Sequence, residues 1–351
     1  MHKMVFGSRL AAGLAGLFAV VATDPVAAVP DRQQKATPPH AVIFTYHRFG
    51  EDDVPLTNIR LPQFRDHLAF LKKHDFNVVP LKRVVAAFQA GTPLPDRTVA
   101  LTADDAYRSV MTHALPMLQQ YGWSMTLFVA SDAVDRKYRR FLSWDEIRQV
   151  QRAGIDIGAH GTAHAHLPDL KPDAQRAEIR VGTDRLTTEI GHRPRLFAYP
   201  YGEYSLETVD LVRKAGFAAA FGQHSGVAHG GLDIHRLPRF AMNEAYGGAD
   251  RFKLAARTLP LPVMDLSPLD PVLKKGSRPA IRFRVLDLSR PISAITCFIA
   301  GEGAAARRAI DGDTITLTPR NGFRPGRTRV NCTRAAGGGR FQWWGRQFYA
   351  R

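Results

Sequence analysis

Cysteine is nearly absent from this chain: Cys297 and Cys332 are the only two in 351 residues. Both fall late in the chain, and neither lies near the histidine and aspartate pairs singled out below in sequence. Acidic side chains are outnumbered, with 32 Asp and Glu against 48 Lys and Arg and a net charge of +16. The imbalance concentrates at residues 272–351, where 16 Lys and Arg meet 4 Asp and Glu. A basic surface of that kind favours anionic partners, such as acidic glycans or lipid headgroups of the cell envelope. No nucleic-acid-binding motif accompanies the charge, so nucleic acid is not an expected partner. Internal repeats are absent too.

Long apolar runs are also missing. The longest, residues 10–22, follows a basic start and has 13 residues, short of the roughly 20 needed to span a bilayer. Small residues at Val26-Ala27-Ala28 then complete the pattern of a signal peptide over residues 1–28, followed by a flexible lead over 29–39. The expectation is an exported protein, periplasmic or extracellular, with no transmembrane anchor after cleavage. Oxidising compartments preserve disulfides, so Cys297 and Cys332 are expected to pair, two buried free thiols being the alternative.

What is present is a regular alternation of strand and helix patterns. The apolar segment from His40 to His47 reads as a first buried strand. Helices are expected over 81–89, 110–121, 144–152 and 173–190, interleaved with short apolar strands at 98–105, 125–129, 155–160 and 196–199. That order predicts a parallel α/β domain over residues 40–263, open or closed as a barrel. A Pro-, Ser- and Lys-rich stretch, 264–279, reads as a linker. Residues 280–351 show period-two alternation and Gly-rich turns, and predict a small, basic, β-sandwich-like domain.

The chemistry-bearing residues sit where apolar strands end. One strand ends in the adjacent carboxylates Asp104 and Asp105, and another in His160 and His164, spaced i, i+4. One carboxylate and two imidazoles give a divalent metal three protein ligands with positions left for water and substrate. The second carboxylate can then accept a proton. Neighbours on a regular strand point opposite ways, a rule that relaxes where the chain turns into a loop. The two histidines share a face if a helical turn starts at Gly161. His47 ends the first strand and is placed to orient substrate or donate a proton. His166 is expected outside the metal shell, packing under its loop. Pro200-Tyr201-Gly202 is either an ordinary turn or a device that aims a backbone N–H at the pocket.

Taken in order, Thr102-Ala103-Asp104-Asp105-Ala106, the segment from His160 to His164, and Phe197-Ala198-Tyr199-Pro200-Tyr201-Gly202 resemble the first three motifs of the polysaccharide deacetylase family, the NodB-homology enzymes. The likeness spans roughly residues 41–240 and is nearest to the branch of exported poly-N-acetylglucosamine deacetylases. It implies a distorted (β/α) barrel and metal-dependent removal of N-acetyl groups from a polysaccharide or oligosaccharide. By position, Asp104 would be the catalytic base, Asp105, His160 and His164 the metal ligands, and Tyr201 the backbone donor to the oxyanion. Ala106 replaces a glycine usual in the family, and Gly161 a serine or threonine. Ala198 replaces an arginine that commonly supports the base, and no leucine-rich histidine motif supplies the general acid. His47, His224 and His235 are the candidates for that acid, with His47 preferred.

Hydrolysis needs a Lewis acid without redox chemistry, which makes Zn²⁺ the default metal, while the same ligands also suit Fe²⁺, Co²⁺ or Ni²⁺. An iron-dependent oxygenase with this ligand set is disfavoured because the usual close spacing of its histidine and acid is absent. The missing arginine and acid motif leave one alternative from another class, a catalytically impaired carbohydrate-binding protein on the same fold. Trp343 and Trp344 in the β-rich domain either stack on sugar or pack as core.

Overall fold

The computed structural model describes residues 38–351. The expected signal peptide over residues 1–28 lies outside the described residues. Among those described, no helix is long and apolar enough to cross a membrane.

Six strands make the wall of the first half: β1 (His40–Tyr46), β2 (Thr98–Asp104), β3 (Thr126–Val129), β4 (Asp156–Ala159), β5 (Leu196–Ala198) and β6 (Ala219–Phe221). They pair in parallel in that order. A short β7 (Phe240–Ala241) pairs in parallel with the other side of β1, and a single bridge joins Phe221 to Leu237 just before it. The sheet therefore curls towards closure and stays partly open, a distorted half-barrel. Every residue of β2 is buried, Thr98 to Asp104 alike, as expected for a parallel strand covered on both faces.

Helices pack around the outside. The long helix Pro172–Ile190 ends at Gly191 in a left-handed conformation, and Trp144–Arg152 starts at Ser143, whose side chain and that of Glu146 cap each other's backbone N–H. The stretch read as one helix over 110–121 is a π turn, Val110–Ala114, followed by a helix, Leu115–Gln119, with Pro116 in its first turn.

The second half is built of two sheets. In one, Val263–Ser267, Ile281–Val285, Thr314–Thr318 and Arg307–Asp311 pair antiparallel. In the other, the long hairpin Gly326–Gly337 and Arg340–Ala350 carries Thr296–Ile299 on one side and Leu259–Pro260 with Val272–Leu273 on the other. Ile281, Phe283, Val285, Ile315 and Leu317 face Val330, Trp344 and Phe348 in a core of their own. Cys297 and Cys332 are direct cross-strand partners and form a disulfide.

One boundary differs from the sequence reading. Residues 264–279 are not a free linker, because Val263–Ser267 and Val272–Leu273 are strands of the two sheets. Proline and serine content marks where a chain cannot be helical, but a strand on a sheet edge tolerates both.

Candidate metal centre and its base

β2 ends at Asp104, and the two residues after it leave the extended region: Asp105 has φ +76° and Ala106 φ +57°. This pair of left-handed residues resolves the problem of neighbouring side chains. Asp104 keeps its in-strand direction, while Asp105 is rotated so that its carboxylate also enters the pocket. Aspartate tolerates that conformation; alanine does so at a cost of about 1–2 kcal/mol. The backbone is held in place by the Asp105 N–H on the Phe128 carbonyl (3.0 Å) and the Leu142 N–H on the Ala106 carbonyl (2.9 Å).

The two histidines converge by a different route from the expected helical turn. Residues 160–166 contain no helix, and Gly161 and His164 have φ +80° and +56°. The Glu178 carboxylate, on the long helix, instead gathers the N–H groups of Thr162 (3.1 Å), Ala163 (2.6 Å) and Ala165 (3.4 Å). The same helix presses Gly182 against the Gly161 carbonyl, where an added Cβ would stand 2.3 Å from the oxygen. A loop whose amides are claimed by a carboxylate has no need of helical hydrogen bonds.

The result is a compact cluster. Asp105 Oδ1 stands 3.2 Å from His164 Nε2 and 3.5 Å from His160 Nε2, and the ligand atoms of all three residues lie within 4.8 Å of one another. His160 is fully buried and its Nδ1 donates to the Ala198 carbonyl at 2.7 Å. That bond makes Nδ1 the donor and leaves Nε2 facing Asp105 with no hydrogen-bond partner among the described residues. A buried, orphaned imidazole nitrogen beside a carboxylate and a second imidazole fits a divalent metal, with the Ala198 carbonyl as the outer partner that orients the ligand. Burial alone would raise the Asp105 carboxyl; the imidazoles of His160, His164 and His47 outweigh it and hold the group below the usual carboxylate range.

Asp104 is the second carboxylate, fully buried. Arg239, just before β7 and itself 0% exposed, grips it with Nη1 on Oδ1 at 2.7 Å and Nη2 on Oδ2 at 2.9 Å. Gln223 donates to Oδ2 at 3.1 Å, and His47 Nε2 lies 4.0 Å from that oxygen. Burial pushes this carboxyl up, and the charges of Arg239, His160 and His47 with the Arg239 hydrogen bonds bring it below its ordinary value. Asp104 is thus an ionised carboxylate next to the metal cluster.

Of the three histidines considered as acid, only His47 faces this pocket. His224 follows Gln223, which takes the pocket side with its amide on Asp104. His224 instead lines a cavity of about 200 Å³ with Trp343, Trp344 and Arg346, and burial together with the charges of Arg346 and neighbouring arginines lowers its pKa to about 3. His235 lies by the start of β6, with Nε2 on the Phe217 carbonyl at 2.9 Å and Nδ1 3.8 Å from Asp233. Both are turned away from Asp104 and Asp105.

Tyr201 takes φ +58° at the end of β5, and its ring stands edge-on to His164 at 4.3 Å. His166 lies outside the metal cluster, stacked on Tyr201 at 4.0 Å and bonded to the buried Glu203 at 2.6 Å. The tryptophans of the second half are packing residues. Trp344 is buried against Phe283, and Trp343 meets Phe240 edge-on while donating to Asn331.

Sequence reasoning missed Arg239 and Gln223. Neither has a motif. The available signal for Arg239 was a lone charge inside an apolar run, Leu237-Pro238-Arg239-Phe240, the pattern of a buried ion pair.

Residues 91–220 match the polysaccharide deacetylase family model. This chain carries a polysaccharide deacetylase domain. The match covers the acidic strand end, both histidines and the Tyr201 turn, whereas Arg239 lies beyond it. The chain is 24% identical over 243 residues to a poly-β-1,6-N-acetyl-D-glucosamine N-deacetylase of Escherichia coli K12, an alignment that takes in 56% of this chain and 36% of that protein. The chain therefore spans about a third of the length of that relative. Among solved structures, the Streptococcus pyogenes deacetylase PplD in complex with acetate superposes with a TM-score of 0.58 at 19% identity, covering 63% of this chain and 99% of that one. IcaB from Ammonifex degensii gives 0.55 at 23% identity, covering 63% and 98%. These likenesses concern the fold. With the Asp105, His160 and His164 cluster, the deacetylase domain has the ligand set of a metal-dependent hydrolytic deacetylase.

Proposed function

We propose that the protein is an exported, metal-dependent N-deacetylase of an N-acetylated glycan, of the poly-β-1,6-N-acetylglucosamine type that the E. coli relative's name describes. The observation that carries the reading is the Asp105, His160 and His164 cluster with an arginine-held carboxylate, Asp104, beside it. Asp105, His160 and His164 would hold one divalent ion, Zn²⁺ by default. When bound, such an ion supplies a Lewis acid and lowers the pKa of water towards neutrality.

The side chains divide the remaining work. Asp104 accepts the proton of the attacking water, and Arg239 and Gln223 keep that carboxylate ionised and aimed. The Tyr201 amide donates to the oxygen that becomes negative as water adds to the acetyl carbonyl. His47 protonates the departing sugar nitrogen as the carbon–nitrogen bond breaks, since expulsion of an unprotonated amine is slow. Acetate and a free amino sugar leave.

The missing arginine at Ala198 favours a carbohydrate-binding protein that has lost turnover. Arg239 reaches the base from another segment and removes that ground. Export is supported by the Cys297–Cys332 disulfide, since such bonds persist in oxidising compartments. The basic second half suits an anionic glycan or envelope surface as a further partner.

The test is acetate release from chitin oligomers, poly-N-acetylglucosamine and peptidoglycan, before and after chelation and with single metals restored. Release that is lost on chelation and returns with one divalent metal supports the proposal. Release that survives chelation unchanged rejects it.

A further inference from the structure

We propose that the C-terminal sheet is a working part of the active centre, with Gln347 as a positioning residue for the Tyr201 peptide. This rests on the deacetylase reading and on the role given there to the Tyr201 amide. Along the last strand, Arg340–Ala350, side chains alternate: Phe348 enters the core of the β half, while Gln347 and Tyr349 face the barrel loops. Arg327, paired across the hairpin with Tyr349, projects on the same side.

These residues converge on the turn after β5. Gln347 Nε2 donates to the Tyr201 carbonyl at 3.1 Å, and Arg327 Nη1 adds a longer contact at 3.4 Å. Arg327 also lies over the Tyr201 ring at 5.5 Å and 3.5 Å from Glu203. Tyr349 donates to Asp169 at 2.6 Å. On the other side of Tyr201, the Pro200 carbonyl accepts the Glu203 N–H at 3.0 Å. Both peptide planes that flank Tyr201 are therefore pinned, one from within the barrel and one from the β half.

The need for pinning follows from the backbone. A tyrosine at φ +58° is in a conformation that L residues leave unless their surroundings hold them. If Tyr201 relaxes, its N–H no longer points where an oxyanion donor must. Gln347 is 3% exposed, and among the described residues its only side-chain hydrogen bond is the one to Tyr201 and its Oε1 is buried without a partner. An apolar side chain would pack there without the orphaned oxygen, so the position gains nothing from an amide except that donation.

Gln347→Leu tests this. In the zinc-loaded protein, kcat for acetate release is expected to fall about tenfold, the factor equivalent to about 1.4 kcal/mol, with KM, zinc affinity and melting temperature unchanged. In the zinc-free protein, amide hydrogen exchange across residues 199–203 is expected to quicken. Arg327→Met, at a side chain 40% exposed, should show the same pattern more weakly. An unchanged kcat, or a kcat that falls in step with KM and melting temperature, overturns the proposal. If the wild-type protein releases no acetate from any glycan, the deacetylase reading itself fails. The exchange measurement then decides alone whether Gln347 holds the Tyr201 turn, and unaltered exchange rejects that too.

Discussion

Replacing Arg239 with methionine leaves Asp104 as a buried carboxylate without its counter-charge. Both residues are fully buried and joined by two hydrogen bonds of 2.7 and 2.9 Å. At about 4 Å between charge centres and an effective dielectric near 20, their attraction is about 4 kcal/mol. Removing one partner of a buried pair costs a similar amount, about 3–5 kcal/mol, because the other is left unpaired. Arg239 also donates to the Gly222 carbonyl and to Thr102 Oγ1, which lose a partner with it. The expected loss is therefore about 4 kcal/mol, seen as a fall in melting temperature of roughly 10 °C.

The pH dependence fixes the sign. The Asp104 carboxyl is held below its ordinary value in the fold, so the pair's contribution is present above the unfolded carboxyl pKa. It fades as pH falls through the lower folded value. The gap between wild type and Arg239→Met should be constant near neutrality and shrink in acid. Urea unfolding of wild type, Arg239→Met, Asp104→Asn and the double variant completes a cycle with an expected coupling above about 2 kcal/mol. Additive single effects, or an Arg239→Met loss under about 1 kcal/mol, would refute the reasoning.

Asp104→Asn should abolish acetate release while zinc still binds with unchanged affinity, measured by competition with a chelator; unchanged turnover rejects Asp104 as the base. His67, His224 and His229 are buried, and burial first of all lowers their pKa values to about 4, 3 and 4. The unfolded chain then takes up protons below about pH 6.5 that the fold refuses, so stability should drop by about 1.4 kcal/mol per pH unit for each histidine; urea midpoints flat from pH 7 to 4.5 contradict this. Ala106→Gly relieves a left-handed alanine and should raise stability by about 0.5–1 kcal/mol once glycine's greater unfolded freedom is deducted, read as a higher urea midpoint with the slope unchanged.

The first three motifs were readable from sequence because each is local: an apolar strand ending in acid or imidazole names its own position and direction. The cross-strand disulfide was readable for another reason, that only two cysteines exist to pair. Arg239 and Gln223 were not, since they reach Asp104 across more than a hundred residues of chain. The helical turn expected from the i, i+4 histidines failed because Glu178, a residue with no motif, claims the loop amides.

Sequence alone determined which atoms can bind a metal and at which strand ends they lie, because residue type and two-residue periodicity suffice for that. Only the tertiary structure decided which charge steadies the base, which of three histidines faces the pocket, and that the β half grips the Tyr201 turn. Those choices depend on where separate segments meet when the sheet curls, and chain periodicity carries no record of that meeting.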